Sequence, residues 1–120
     1  MKLYQISRDV DRKVHCLVKD GNKYYPLTHA EYHSPDGFET GYGGSGPADL
    51  SLSILADVFG DTNRKVHIFK GLVPGLAWDL HQDFKWECIA RYPLLVGESY
   101  ELLEERIKSW AAKKLLAKTG

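Results

Sequence analysis

Hydrophobic and polar residues alternate along the first third of the chain, as they do in strands that bury one face. KLYQIS alternates from residue 2, VHCLV is a short apolar run from residue 14, and KYYPL follows the turn pair Asp20-Gly21. The spacing of VHCLVKD and NKYYPL predicts a β-hairpin. We also read residues 38–40 as a short strand after the turn signal at residues 34–37. A small antiparallel sheet is therefore expected in residues 1–40.

Three later segments carry apolar residues at helical spacing. They are residues 47–59, which begin at Pro47 and end before Gly60; residues 76–92, which stop before Pro93; and a last segment that begins at the N-cap candidate Ser99. The expected apolar stripe of the last helix is Tyr100, Leu103, Ile107, Trp110 and Ala111. A short strand or hairpin is expected in residues 61–75. The sequence predicts a single α+β domain over residues 1–120, with a small N-terminal antiparallel sheet packed against three helices.

Composition narrows the function classes. The chain has 120 residues with sixteen acidic and sixteen basic side chains, so it lacks the overall positive field of most nonspecific nucleic-acid-binding proteins. It has no apolar run of membrane-spanning length and no signal-peptide core near its start, so we expect a cytoplasmic protein with no membrane association. Cys16 and Cys88 are expected to be reduced, buried thiols.

A glycine-rich segment precedes the first predicted helix: Gly41, Tyr42, Gly43, Gly44, Ser45 and Gly46. Glycine lets another group approach the backbone closely, and a helix start offers unpaired N–H donors. One interpretation is a ligand site for an anion, made by Tyr42, Gly43, Gly44, Ser45 and Gly46. The alternative is a tight strand-to-helix crossing in which glycines only relieve crowding. Asp49 argues against a phosphate site, because its carboxylate would repel the anion.

Known nucleotide motifs fit this segment poorly. Gly41-x-Gly43-x-x-Gly46 matches the dinucleotide-binding pattern formally, with Asp61 as a ribose-binding candidate, but hairpins precede it instead of a βαβ unit. A P-loop lysine is absent, and Pro47 stands where the serine-hydrolase elbow needs glycine. No cofactor is therefore expected.

Three stretches carry a family resemblance: GYGGSGPADLSLSILAD, LHQDFKWECIARYP and EERIKSWAAK. Over roughly residues 38–112 the chain resembles a domain-of-unknown-function family found in bacteria, phages and plasmids, with the motif GYGGSGPxxLxxxIL. The resemblance implies a fold and a suspected site at the glycine-rich segment, but no reaction.

Other groups of reactive residues have ordinary structural interpretations. His29 and His33 would lie about 13 Å apart on a strand, too far to share one zinc ion, so no metal site is predicted. His81 and Cys88 would lie about 10 Å apart along a helix, too far for direct proton transfer. The acidic ridge Asp79, Asp83 and Glu87 is expected to be solvated or paired with lysine. A further group of bases is expected to be scattered over the surface, and the alternative is that they converge, near Tyr24, Tyr25 and Tyr42, as a basic patch for nucleic acid: Arg8, Arg12, Lys13, Arg64, Lys65 and Lys70.

The catalytic residues are unknown, and whether the chain is an enzyme stays open. The leading hypothesis is a non-enzymatic binding module that uses the glycine-rich segment for a small anionic ligand or a protein partner. One alternative is a small enzyme acting on a nucleotide or phosphorylated substrate through Ser45 or a histidine such as His33. Another is a phage-type interaction protein that uses Trp86 as an exposed anchor.

Overall fold

The described part of the chain contains six strands and three α-helices, and one of the helices continues into a π-helix. A computed structural model describes residues 1–34, 36–60, 64–68 and 71–119. In chain order the elements are β1 (Lys2–Arg8), β2 (Val14–Asp20), β3 (Lys23–Pro26), α1 (Ser45–Val58), β4 (Lys65–Ile68), β5 (Gly71–Pro74), α2 (Gly75–Phe84), a π-helix (Lys85–Ile89), β6 (Ser99–Leu103) and α3 (Glu104–Thr119).

The main sheet is antiparallel, with strand order β3-β2-β1-β6, so the last strand of the chain lies beside the first. The predicted hairpin is confirmed as β2 and β3. Strands β4 and β5 form a separate two-stranded sheet within the region where a hairpin was expected. The architecture is α+β, as predicted.

The strand periodicity decides which face of the main sheet is buried. Tyr4 and Ile6 are buried on β1, and Cys16 and Val18 are buried on β2, while the residues between them are more exposed. This face packs against the helices, and α1 is buried along most of its length. The described parts of the chain contain no helix that is both long and apolar enough to cross a membrane.

Two local predictions are wrong. Ser99 is not a helix N-cap: residues 99–103 form β6, and α3 begins only at Glu104. Tyr100 and Leu103 therefore belong to a strand, whereas Ile107 and Ala111 are buried on α3 as expected. Residues 38–40 do not form a strand, since Phe38 makes only an isolated bridge to Val14.

The predicted helices are close to the observed ones. Helix α1 begins two residues before Pro47, and α2 continues directly into the π-helix. Some sequence signals lie outside the described residues: Pro35 of the first turn signal, Asp61 and its neighbours 62 and 63, and residues 69–70, which include Lys70.

Candidate functional site

The glycine-rich segment is held against the end of the π-helix. The Gly41 N–H donates to the Ile89 carbonyl at 3.1 Å. Gly41 has φ +91°, a conformation that favours glycine, and a Cβ there would overlap Pro93. The Thr40 hydroxyl contacts the same region, since it lies 3.0 Å from the Ile89 carbonyl oxygen and 2.7 Å from the Tyr100 hydroxyl. The start of the segment is thus fixed by side-chain and backbone contacts.

Aromatic rings pack directly on the next two glycines. A Cβ at Gly43 would overlap the Trp86 ring, and one at Gly44 would overlap the Tyr42 ring. Both rings remain about half exposed, at 56% for Trp86 and 52% for Tyr42. Lys85, which is only 7% exposed, donates to the Gly43 carbonyl at 3.2 Å, and its ammonium lies 4.4 Å from the centroid of the Trp86 ring. Crowding is therefore one reason for the glycines.

The same segment leaves backbone donors available. Gly44 is the N-cap of α1, and its carbonyl accepts from the Ala48 N–H at 3.1 Å. No side chain of a described residue caps the helix start. Within residues 1–34, 36–60, 64–68 and 71–119, the N–H groups of Gly43, Gly44, Ser45 and Gly46 have no hydrogen-bond acceptor. Residues 45–48 include no acidic side chain, so the positive end of the helix is not neutralised in its first turn.

A polar cavity of about 410 Å³ opens beside this helix start. Its lining includes Tyr42, Ser45 and Gly46 from the glycine-rich segment; Arg12, Lys13 and His15 from the β1–β2 connection and β2; and Ser34, Asp36 and Glu39 from the loop before the segment. The cavity therefore joins the predicted segment to a group of basic side chains.

The tight turn between β1 and β2 positions these bases. The Asp9 carboxylate accepts the N–H groups of Asp11 at 2.8 Å and Lys13 at 3.0 Å, and it contacts the His15 ring at 2.5 Å. Hydrogen bonds from His15 and the backbone hold the pKa of Asp9 below its ordinary value. Arg12 has φ +67°, the only non-glycine residue with a positive φ in the described part of the chain. The turn thus holds Arg12 in a strained backbone conformation at the cavity.

One of the acids in the cavity is neutralised by a partner. Arg8 donates to both oxygens of Glu39, at 2.7 and 3.1 Å, and this pair lowers the pKa of Glu39. Neither Arg12 nor Lys13 forms an ion pair with any described residue. Asp36 is the remaining acid in the lining and is exposed. Arg12 and Lys13 therefore supply positive charge to the lining that no ion pair within the described residues neutralises, beside the single exposed carboxylate of Asp36.

The Asp49 carboxylate is engaged by the loop that precedes the glycine-rich segment. It is completely buried and accepts the backbone N–H groups of Tyr32, His33 at 2.7 Å and Ser34 at 2.9 Å. The His29 Nε2 lies 2.8 Å from the same carboxylate. The Asp49 carboxylate therefore holds the loop of residues 29–34 against α1.

His33 and His81 contact each other directly, with their Nε2 atoms 3.1 Å apart. The Nδ1 of His81 lies 2.7 Å from the Trp78 carbonyl, which can only accept, so this nitrogen carries the proton. Neutral His81 then presents an Nε2 lone pair, and His33 donates to it. Burial lowers the pKa of both histidines. No three metal-ligating side chains cluster within the described residues.

The remaining candidate groups are engaged in structural contacts. Asp79 pairs with Arg64, Asp83 with Lys118 at 3.7 Å, and Glu87 with Lys114. Burial raises the pKa of Cys16 to about 12 and of Cys88 to about 11, so neither thiol is a ready nucleophile.

Sequence reasoning did not find the contacts that build this region. The Arg8–Glu39 pair and the His33–His81 contact join residues 31 and 48 positions apart. The Asp9 turn did leave a local signal, because aspartate readily accepts backbone N–H groups two or more residues on. The sequence predicts Arg12 and Lys13 as scattered surface or as part of a basic patch, and neither interpretation places them beside the glycine-rich segment.

Comparison with known proteins identifies a family. A family model described as a family of unknown function (DUF6166) matches residues 4–113. Among curated proteins and among solved structures, nothing matches the chain.

Proposed function

The chain belongs to this family of unknown function, DUF6166, and from its own geometry we propose that it is a cytosolic, non-enzymatic protein that binds a small anionic ligand. The proposed contacts are the backbone N–H groups of Gly43, Gly44, Ser45 and Gly46, with the Tyr42 ring beside them. Arg12 and Lys13 supply the opposing charge across the cavity.

One observation carries the proposal: Ser45 and Gly46, whose N–H groups have no acceptor within the described residues, line one cavity with Arg12 and Lys13, which have no ion-pair partner there. Gly43 and Gly44 directly precede these two donors in the chain. Unpaired N–H groups are costly when they are shielded from water, so an acceptor from outside the chain would stabilise them. An oxyanion such as phosphate offers several acceptor atoms to donors that converge from different directions. The strain at Arg12 is consistent with a residue held in place for binding.

The enzyme alternative has weaker support. A serine nucleophile needs a base within hydrogen-bonding distance, and no described histidine forms a hydrogen bond with Ser45. His33 is instead engaged with His81.

The interaction alternative keeps one supporting observation, because more than half of the Trp86 side chain is exposed beside the glycine-rich segment.

The test is calorimetric titration with inorganic phosphate and with nucleoside mono-, di- and triphosphates. We expect saturable binding to at least one of them, weakened about tenfold or more by Arg12→Gly and by Lys13→Ser, since each removes one charge-assisted contact. Arg12→Gly also removes a backbone strain of about 1 kcal/mol, so this variant should unfold at the same temperature as the parent or higher.

The matched control is Lys23→Ser, which removes an exposed lysine of β3 that does not line the cavity. It should leave binding unchanged. Flat titrations with every phosphate compound, or equal loss of binding in the control, would overturn the proposal.

A further inference from the structure

The open edge of the main sheet at β6 has unpaired backbone groups. Arg8 donates to the Glu98 carbonyl and accepts from the Gly97 N–H, so its backbone groups point toward β6. The direction of the backbone N–H and carbonyl groups alternates along a strand, so those of Tyr4 and Ile6 also point toward β6, where the two residues pair with Leu102 and Tyr100.

It follows that the backbone groups of the intervening residues of β6 point away from β1. The N–H groups of Ser99, Glu101 and Leu103 and the carbonyl of Glu101 face away from β1. None of these groups has a hydrogen-bond partner within the described chain. This edge can therefore accept a further strand.

The opposite edge of the sheet is protected. The Leu27 N–H donates to the Cys16 carbonyl, so by the same alternation the backbone groups of Tyr24 and Pro26 in β3 face away from β2. Proline has no N–H to offer, and a proline at an outward position blocks the addition of a strand. The outer edge at β3 therefore carries a proline that prevents strand pairing, whereas β6 contains no proline.

A groove of about 420 Å³ runs along the open edge. Its lining includes four consecutive residues of β6, from Tyr100 to Leu103, whose side chains alternate between the two faces of the sheet. A groove that touches both faces of one strand must lie along its edge. Ile107 and Trp110 of α3 supply an apolar wall.

Charge indicates what the edge would bind. The charged residues in the lining of the groove are Glu101 and Arg106. Glu98 and Glu105 are exposed and lie within two residues of the ends of β6 in the chain, and Arg106 is the one basic residue between positions 98 and 106. Glu101 forms no ion pair with any described residue. A second copy of the chain would bring like charges together, which disfavours self-pairing. A basic strand would complement the edge.

We propose that β6 is a docking site for an extended peptide segment of a partner protein, in which basic residues alternate with apolar ones. The segment would pair with the outward backbone groups of Ser99, Glu101 and Leu103. Its apolar side chains would enter the groove beside Trp110, and its bases would lie near Glu101. This is strand addition, in which backbone bonds give affinity and side-chain pockets give specificity.

The experiment measures binding of labelled peptides of about nine residues, in which valine alternates with lysine, serine or glutamate. We expect the lysine peptide to bind about tenfold or more tightly than the glutamate peptide, and its affinity to fall with added salt. Glu101→Gln should weaken the lysine peptide several-fold.

Glu101→Pro removes an outward N–H without breaking the pairing with β1, and it should abolish binding. The matched control is Tyr24→Pro at an outward position of β3, which should have no effect. Circular dichroism confirms that each variant is folded. The proposal is wrong if no peptide binds, if lysine and glutamate peptides bind equally, or if light scattering shows a dimer that Glu101→Pro dissociates.

Discussion

Asp49 holds the loop of residues 29–34 onto α1, and replacing it with asparagine tests how strongly. The completely buried carboxylate accepts three backbone N–H groups and lies 2.8 Å from the His29 Nε2. Asparagine has nearly the same shape, but one of its oxygens is replaced by an NH2 group. Donors that met an oxygen would then face another donor.

The cost follows from the number of donors affected. Oδ1 accepts from His33 at 2.7 Å, and Oδ2 accepts from Ser34 at 2.9 Å and lies 2.8 Å from His29. Whichever oxygen is lost, one or two buried donors lose their acceptor, at about 1–3 kcal/mol each, and the others lose a charged partner. We expect Asp49→Asn to reduce the free energy of unfolding by about 3–5 kcal/mol. That is a large share of the stability of an ordinary domain, about 5–15 kcal/mol.

The assay is urea unfolding followed by circular dichroism, with Asp79→Asn as the matched control. Asp79 is an exposed carboxylate paired with Arg64, and its loss should cost about 1 kcal/mol or less. A loss of less than about 1 kcal/mol for Asp49→Asn, or equal losses for the two variants, would refute the reasoning.

Two further predictions concern the neighbouring contacts. Burial lowers the pKa of His33 and His81 below 6.5, so the unfolded chain binds more protons than the folded one as pH falls through about 6.5. The free energy of unfolding should therefore be greatest above that pH and decline below it. Urea unfolding at about pH 7.5 and 5.5 should show a smaller decline in a His33→Gln/His81→Gln variant than in the parent protein. An unchanged decline would contradict the assignment. Gly43→Ala should lower the free energy of unfolding by about 1–3 kcal/mol, because its Cβ would displace the Trp86 ring. The same substitution should lower it clearly less in a Trp86→Ala background, and additive effects of the two substitutions would show that the ring is not the obstacle.

Elements with a strong local pattern could be predicted from the sequence. The alternation in β1, the apolar run of β2 and the turn pair before β3 each carry a local signal, and all three strands were found. Helix α1 was found for the same reason. Strand β6 was missed because Tyr100, Leu103 and Ile107 also fit helical spacing, and its partner β1 lies nearly the whole chain away.

The candidate site was only partly predictable. The density of glycines marked the segment, but the sequence could not show that Trp86 and Tyr42 pack on Gly43 and Gly44. Nor could it show where the Asp49 carboxylate points, since this depends on a loop about sixteen residues earlier. Contacts between distant positions leave no periodic pattern, so the cavity formed with Arg12 became apparent only in the fold.

The most direct measurement of the central claim is a titration of the isotope-labelled protein with inorganic phosphate, followed by amide nuclear magnetic resonance. If backbone donors bind the anion, the N–H signals of Gly43, Gly44, Ser45 and Gly46 should shift together and saturate, with the same apparent affinity as signals from Arg12 and Lys13. Signals that stay fixed in the segment while lysines across the surface shift weakly and without saturation would contradict the account.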